Sequence, residues 1–180
     1  MPRTDRTPEK GSALLMAVFV LVLLGAMGFI LLNLSTLEQR SSHANIQSKQ
    51  LFFLSEAGIE DGRRTLWAMN NASADTRNLT EELTALSGDG VLDFDPDNLQ
   101  PIFTAGILTG LTGFNDDTPI RGITRLDDGW YVAFVNNDPA DGLTNPVDTN
   151  DRVMVTGVSF MPNGRREVSQ AIVYRRDAFV

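Results

Sequence analysis

Cysteine is absent from this chain and histidine occurs once, as His43. The first absence excludes a disulfide framework, a zinc–thiolate site and a thiol nucleophile. The second excludes a multi-histidine metal centre within one chain. His43 lies in the polar run Ser41-Ser42-His43 and reads as a surface helical residue. Lysine is almost missing too, since Lys10 and Lys49 are the only two. Ser48 adjoins Lys49, but neighbouring helical residues point to different faces, so no Ser–Lys nucleophile is built there. Basic charge as a whole is scarce: 15 Lys and Arg stand against 23 Asp and Glu, for a net charge of −8. Phosphate binding needs a basic face, so no nucleic-acid partner is expected. The acid is concentrated between residues 75 and 151, where 15 carboxylates face Arg77, Arg121 and Arg125; residues 152–180 hold 5 Arg against 2 acids. None of these carboxylate pairs sits in the apolar pattern that a general acid needs, and catalysis is not expected.

What the chain does have is one long apolar run, ALLMAVFVLVLLGAMGFILL, from Ala13 to Leu32. It holds neither charge nor proline, and about 20 residues at 1.5 Å each span a hydrocarbon core of roughly 30 Å. The preceding residues 1–11 carry Arg3, Arg6 and Lys10 against Asp5 and Glu9, which favours a cytoplasmic N-terminus. Three readings compete here. A secretory signal has a shorter apolar region, about 7–15 residues, with a small-x-small cleavage site after it; here Ala26-Met27-Gly28 lies inside the run. A plain signal-anchor is the second reading. The third depends on the residues C-terminal to the run.

Beyond Leu32 the helical pattern continues. Residues 33–69 contain no proline, and glycine only at Gly58 and Gly62. Apolar residues recur at Leu34, Leu37, Ala44, Ile46, Leu51, Phe52, Leu54, Ala57, Ile59, Leu66 and Trp67, loosely at helical spacing. One helix over residues 12–69 would be on the order of 85 Å long. A lone anchor has no need of that length, whereas a helix packed lengthwise on its relatives does. Asn70-Asn71-Ala72-Ser73 supplies turn formers at its end.

Two blocks on this helix carry a resemblance. The polar leader ends in Gly11, followed by Ser12-Ala13-Leu14-Leu15, and the helix ends in Phe53-Leu54-Ser55-Glu56-Ala57-Gly58-Ile59-Glu60. The first resembles the type III signal of type IV pilins. Together, over roughly residues 8–64, they resemble the PilX N-terminal domain family of minor pilins. The resemblance implies cleavage by a prepilin peptidase between Gly11 and Ser12, methylation of the Ser12 amine, and assembly with other major and minor pilins through the N-terminal helix. It also implies an inner-membrane stage, leader inside, before transfer to a pilus at the cell surface. Major pilins carry Glu as the fifth mature residue, and here that residue is Met16. An unpaired carboxylate is costly in lipid, so its loss removes both a cost and a docking signal. This points to a minor or tip subunit, with the tip pseudopilin of type II secretion systems as a related alternative. Gly25 and Gly28 would permit close helix approach. Glu56 and Glu60, with Arg63 and Arg64 following, are either a solvated face or an inter-subunit pairing surface.

The rest of the chain reads as a β-rich domain over residues 70–180. Thr80 to Leu86 is a brief helix ended by Ser87-Gly88, and Leu92 to Asp97 is turn chemistry. Thr104 to Phe114 has Gly106, Gly110 and Gly113 but no phosphate-loop lysine, and reads as a flexible connection. Four antiparallel strands are predicted: Ile120 to Leu126, Trp130 to Val135, Arg152 to Phe160, and Glu167 to Arg175, with Asp128-Gly129 and Asn163-Gly164 as turns. The expected class is α+β, pilin-like, a long helix with an antiparallel sheet on its second half. Between the second and third strands, residues 136–151 hold Asp138, Asp141, Asp148 and Asp151 and four Asn. These are hard oxygen ligands of the kind calcium takes, yet the EF-hand spacing is not met. Calcium and a solvated turn-rich loop both stay open.

Overall fold

The computed structural model describes residues 10–73 and 78–175, with side chains from Ala13 onward. The fold is α+β: one long N-terminal helix and two antiparallel sheets. Helix α1 runs Lys10–Ala72, a little further at both ends than the predicted 12–69. Most of the expected leader, residues 1–9, lies outside the described residues.

The chain divides into two compact units, Met1–Ile46 and Gln47–Val180. In the first, the side chains of the apolar run face outward; Leu14, Met16, Phe29 and Leu32 are each between 69 and 70% exposed. Its most apolar window has a mean hydropathy of 2.9, so this helix is long and apolar enough to cross a membrane. Where the run ends, polar side chains turn back onto the helix: Asn33 Nδ2 donates to the Phe29 carbonyl and Thr36 Oγ1 to the Asn33 carbonyl.

In the second unit α1 is two-faced. Leu51, Leu54, Ile59 and Leu66 are buried, while Phe53, Glu56, Arg63, Arg64 and Trp67 face out. The buried stripe packs on a four-stranded sheet in the order β3 (Arg121–Leu126), β4 (Gly129–Asn137), β5 (Arg152–Phe160) and β6 (Arg166–Tyr174). These are the four strands predicted, shifted at their ends by one or two residues. Strand β4 is buried along its whole length because both sheet faces are covered. Ala133, Val135, Val153 and Val155 meet Ile59 and Leu66 on the α1 face, together with Leu83 and Leu86 of α2 (Thr80–Leu86). Trp130, Val132, Phe134, Val158 and Phe160 point the other way, onto Phe94, Leu99 and Leu108. This is the period-2 alternation of strands, with both phases apolar at the centre.

The second cover was not expected. It includes a hairpin of β1 (Gln100–Thr104) and β2 (Ile107–Thr112), whose turn and second strand fall in the stretch from Thr104 to Phe114 read as a flexible connection. Its two-residue turn is Ala105-Gly106, with φ of 51° and 77°, the left-handed pair that favours right-twisted hairpins. Alanine in the first of these positions hides the usual Asn-Gly signal. Phe94 stacks on Phe134 at 3.8 Å between ring centroids, and Phe103 meets Trp130 edge-on at 5.8 Å.

The helix reaches the sheet where side chains are missing. A Cβ on Gly157 of β5 would run into the Ser55 carbonyl oxygen and lie 3.1 Å from the Ile59 nitrogen. One on Gly62 would lie 3.1 Å from both Ala133 Cβ and Val155 Cγ1, whereas one on Gly58 would lie 3.3 Å from Tyr131 Cδ2, a side-chain atom that need give only a few tenths of an ångström, and 3.4 and 3.5 Å from backbone atoms. Backbone cannot yield as a side chain can. Gly157→Ala is therefore expected to lose about 2–4 kcal/mol of stability, while Gly58→Ala stays within about 1 kcal/mol because its helix propensity improves. Urea denaturation of the full chain in mild detergent checks the ranking; equal losses would contradict it.

Candidate functional site

The Phe53–Glu60 block of α1 is where sequence expectation and geometry meet most closely. Of its residues, Gly58 lies against β4 and β5, Ala57 is half-buried beside Leu51 and Leu54, and Phe53 and Glu56 are exposed. Ser55 is wholly buried; its hydroxyl is 2.6 Å from Ser169 Oγ of β6, and it donates to the Phe52 carbonyl. Ser159 Oγ of β5 donates to the Leu51 carbonyl at 2.7 Å. The block is thus half sheet-binding surface and half outward surface, alternating at helical spacing.

On the outward side Glu60 collects two arginines. Arg63 donates to both of its carboxylate oxygens at 2.9 Å and Arg64 Nε to Oε1 at 3.0 Å. These hydrogen bonds, Arg63 first, hold the Glu60 carboxyl down to about 2. Glu60 is therefore satisfied within its own helix, and Glu56 stands apart from it. Asp61, which the sequence did not single out, ties α1 to the sheet: Tyr131 Oη donates to its Oδ2 at 3.0 Å, and Arg121 Nε lies 2.7 Å from the same oxygen. Burial and the Asp61 carboxylate raise the Tyr131 phenol.

Among the other assembly-helix residues, Met16 is exposed, and nothing lies within 4 Å of a Cβ built on Gly25 or Gly28. Gly11 and Ser12 fall in the first turn of α1, and their side chains lie outside the described residues.

The acidic loop between β4 and β5 is closed on itself by amides. Asn137, fully buried, donates from Nδ2 to the carbonyls of Asn145 and Val147 at 2.8 and 2.9 Å. Asp138 Oδ1 accepts from Asp141 N and Asn150 Nδ2, and the Asn150 bond holds its carboxyl below the usual range. Asp141 accepts from both the nitrogen and the hydroxyl of Thr149. Asp148, 2% exposed, reaches across to the start of α2, where Oδ2 accepts from Leu79 N at 2.9 Å. The Asp151 carbonyl accepts from Arg175 N. Three of the four carboxylates thus serve as turn and cap acceptors. Among the described residues no three acidic or histidine side chains gather as a metal-holding group.

A second acidic feature was missed by sequence reasoning. Asp117, 3% exposed, accepts from Phe94 N at 2.6 Å through Oδ2. Its Oδ1, and Oδ1 of Asp93, are buried without a hydrogen-bond partner. Burial, aided by the charges of Asp93 and Asp116, pushes the Asp117 carboxyl up to about 6. Turn-rich spacing of Asp is so common that nothing in the sequence marks this one as buried.

Compared with known proteins, the chain matches no family model, and no curated protein or solved structure matches it significantly.

These groups make two measurements decisive. A raised folded pKa means that Asp117 adds stability which is full below about 3.9 and is lost as pH rises through about 6. Asp117→Asn should gain on the parent by roughly 2 kcal/mol between pH 4 and pH 7, read from denaturation midpoints across pH; a constant difference would contradict the assignment. For the loop, a calcium-dependent rise in melting temperature should vanish in the Asp141→Ala, Asp148→Ala double variant. A rise that survives it would remove calcium from this loop.

Proposed function

We propose that this chain is a minor pilin-like structural subunit, made as a single-pass inner-membrane protein and drawn from there into a type IV pilus or a related filament. The observation that carries this reading is α1 itself. A single helix runs from an uncharged membrane-length segment into a block, Phe53 to Glu60, whose small residues seat it on an antiparallel sheet. In this reading the prepilin peptidase cuts after Gly11, and Ser12 becomes the methylated N-terminus. The apolar segment then exchanges lipid for the apolar helices of other pilins, surroundings of similar polarity. Met16 in place of a carboxylate fits a subunit used in few copies, in priming or at a tip. The β-domain, outside the membrane, sets the contacts.

A permanently anchored periplasmic binding module, or a type II secretion tip pseudopilin, shares the same anchor and sheet. Processing separates the first of these from the pilin reading. Co-expression with a prepilin peptidase is expected to give a chain that begins at methylated Ser12 by intact mass and N-terminal peptide analysis. A leader that persists in the presence of an active peptidase overturns the proposal and leaves the anchored module.

A further inference from the structure

The four-stranded sheet ends in two edges of different character, and no strand lies beyond either among the described residues. Strand β6 pairs with β5 over nine consecutive residues without a register shift. It carries no proline, lysine or bulge, the devices that usually protect an edge. Strand β3 is shorter, exposed at nearly every residue, and holds one extra residue between Arg121 and Thr124.

Charge at the ends of these strands is complementary. Arg165 and Arg166 stand where β6 begins, while Asp127 and Asp128, all four exposed, form the two-residue turn that follows β3. Asp97 at 3.6 Å is the one carboxylate paired with either arginine among the described residues; Arg165 otherwise donates to Gln47, and Arg166 to the carbonyls of Pro96 and Leu99.

We infer that the outer edge of β6 receives β3 of a second copy of this chain, antiparallel, with Asp127 and Asp128 of that copy opposite Arg166 and Arg165. Two further facts agree with this register. It sets Thr124 opposite Ser169. Thr124 pairs within its own sheet with Tyr131, which bonds to Asp61 of α1, and Ser169 contacts Ser55 of α1, so both sit on the α1 face. Allowing for the bulge, Arg121, bound to Asp61, comes opposite Ala171, which packs in the core beneath α1. A slip by one residue would put the two helices on opposite faces. A slip by two would separate the charges.

Direction also selects β3. In an antiparallel meander of four strands, β3 and β6 run oppositely, so β3 of a neighbour meets β6 with α1 pointing the same way in both copies. Pairing β6 with β6 about a two-fold axis through its centre would set Arg166 opposite Tyr174 instead of a carboxylate. The contact is head to tail and leaves one edge of each kind open at its ends. It rests on strand direction, face and charge within the Gln47–Val180 unit, and not on the pilin reading.

The cysteine-free chain makes the test direct. Two differently tagged full-length chains, one Ile123→Cys and one Gln170→Cys, are co-expressed in membranes and treated with a short bismaleimide. A covalent dimer carrying both tags is expected. Its yield should fall about tenfold with Asp128→Arg in the first chain and return with Arg165→Asp in the second. Leu126→Cys with Glu167→Cys repeats the measurement should the first pair not fold. No dimer from either pair overturns the inference, as does a dimer insensitive to the charge swap. Cross-linking of Gln170→Cys chains to one another alone would replace it with two-fold pairing. N-terminal processing is read independently on the same samples.

Discussion

Backbone touching backbone at Ser55 and Gly157 is the constraint on which the rest of the second unit depends. Because β5 has no side chain there, α1 can lie low enough for Ile59 and Leu66 to reach Val153 and Val155, and for Leu51 and Leu54 to meet Tyr131 and Met161. Buried aliphatic side chains of this kind contribute on the order of 1.5–3 kcal/mol each, an amount that a wider gap would forfeit. The polar ties at this seam, Ser159 to Leu51 and Tyr131 to Asp61, form only at the same spacing. Apolar packing and hydrogen bonding are therefore set by one distance.

The acidic composition takes on a different meaning once the loops are seen. In a chain without cysteine, the long connection from Asp138 to Asp151 is held by amide-to-carboxylate and amide-to-carbonyl bonds instead of a covalent staple. Asn137 and Asp148 are among the buried members of that set. The same residue types that predict turns also close them. Their charge is thus largely spent on local geometry, apart from positions such as Asp127 and Asp128 at an exposed turn.

Much of the architecture was legible because its signals are local. Uninterrupted apolar and helical spacing defines α1, and turn pairs such as Asn163-Gly164 punctuate a meander whose strands alternate regularly. The β1–β2 hairpin was not legible, since Ala105 occupies a left-handed position that normally advertises itself with Asn or Asp. Nor were Asp61 and Asp117, whose roles come from residues tens of positions away: Tyr131 for the first, Phe94 for the second. Of the block from Phe53 to Glu60, the pattern was visible, but its division into a seated and an outward half required the sheet.

The distance along the chain between the two sides of that seam has a temporal meaning. Leu51 bonds to a serine 108 residues later, and Ser55 to one 114 residues later. At synthesis rates of about 5–20 residues per second, the apolar stripe of α1 emerges roughly 5–20 s before the strands that cover it. During that interval the helix presents Leu51, Leu54, Ile59 and Leu66 to whatever is near. The first part of the domain to appear is the last to be sheltered, and its early neighbours are the ones most able to capture it.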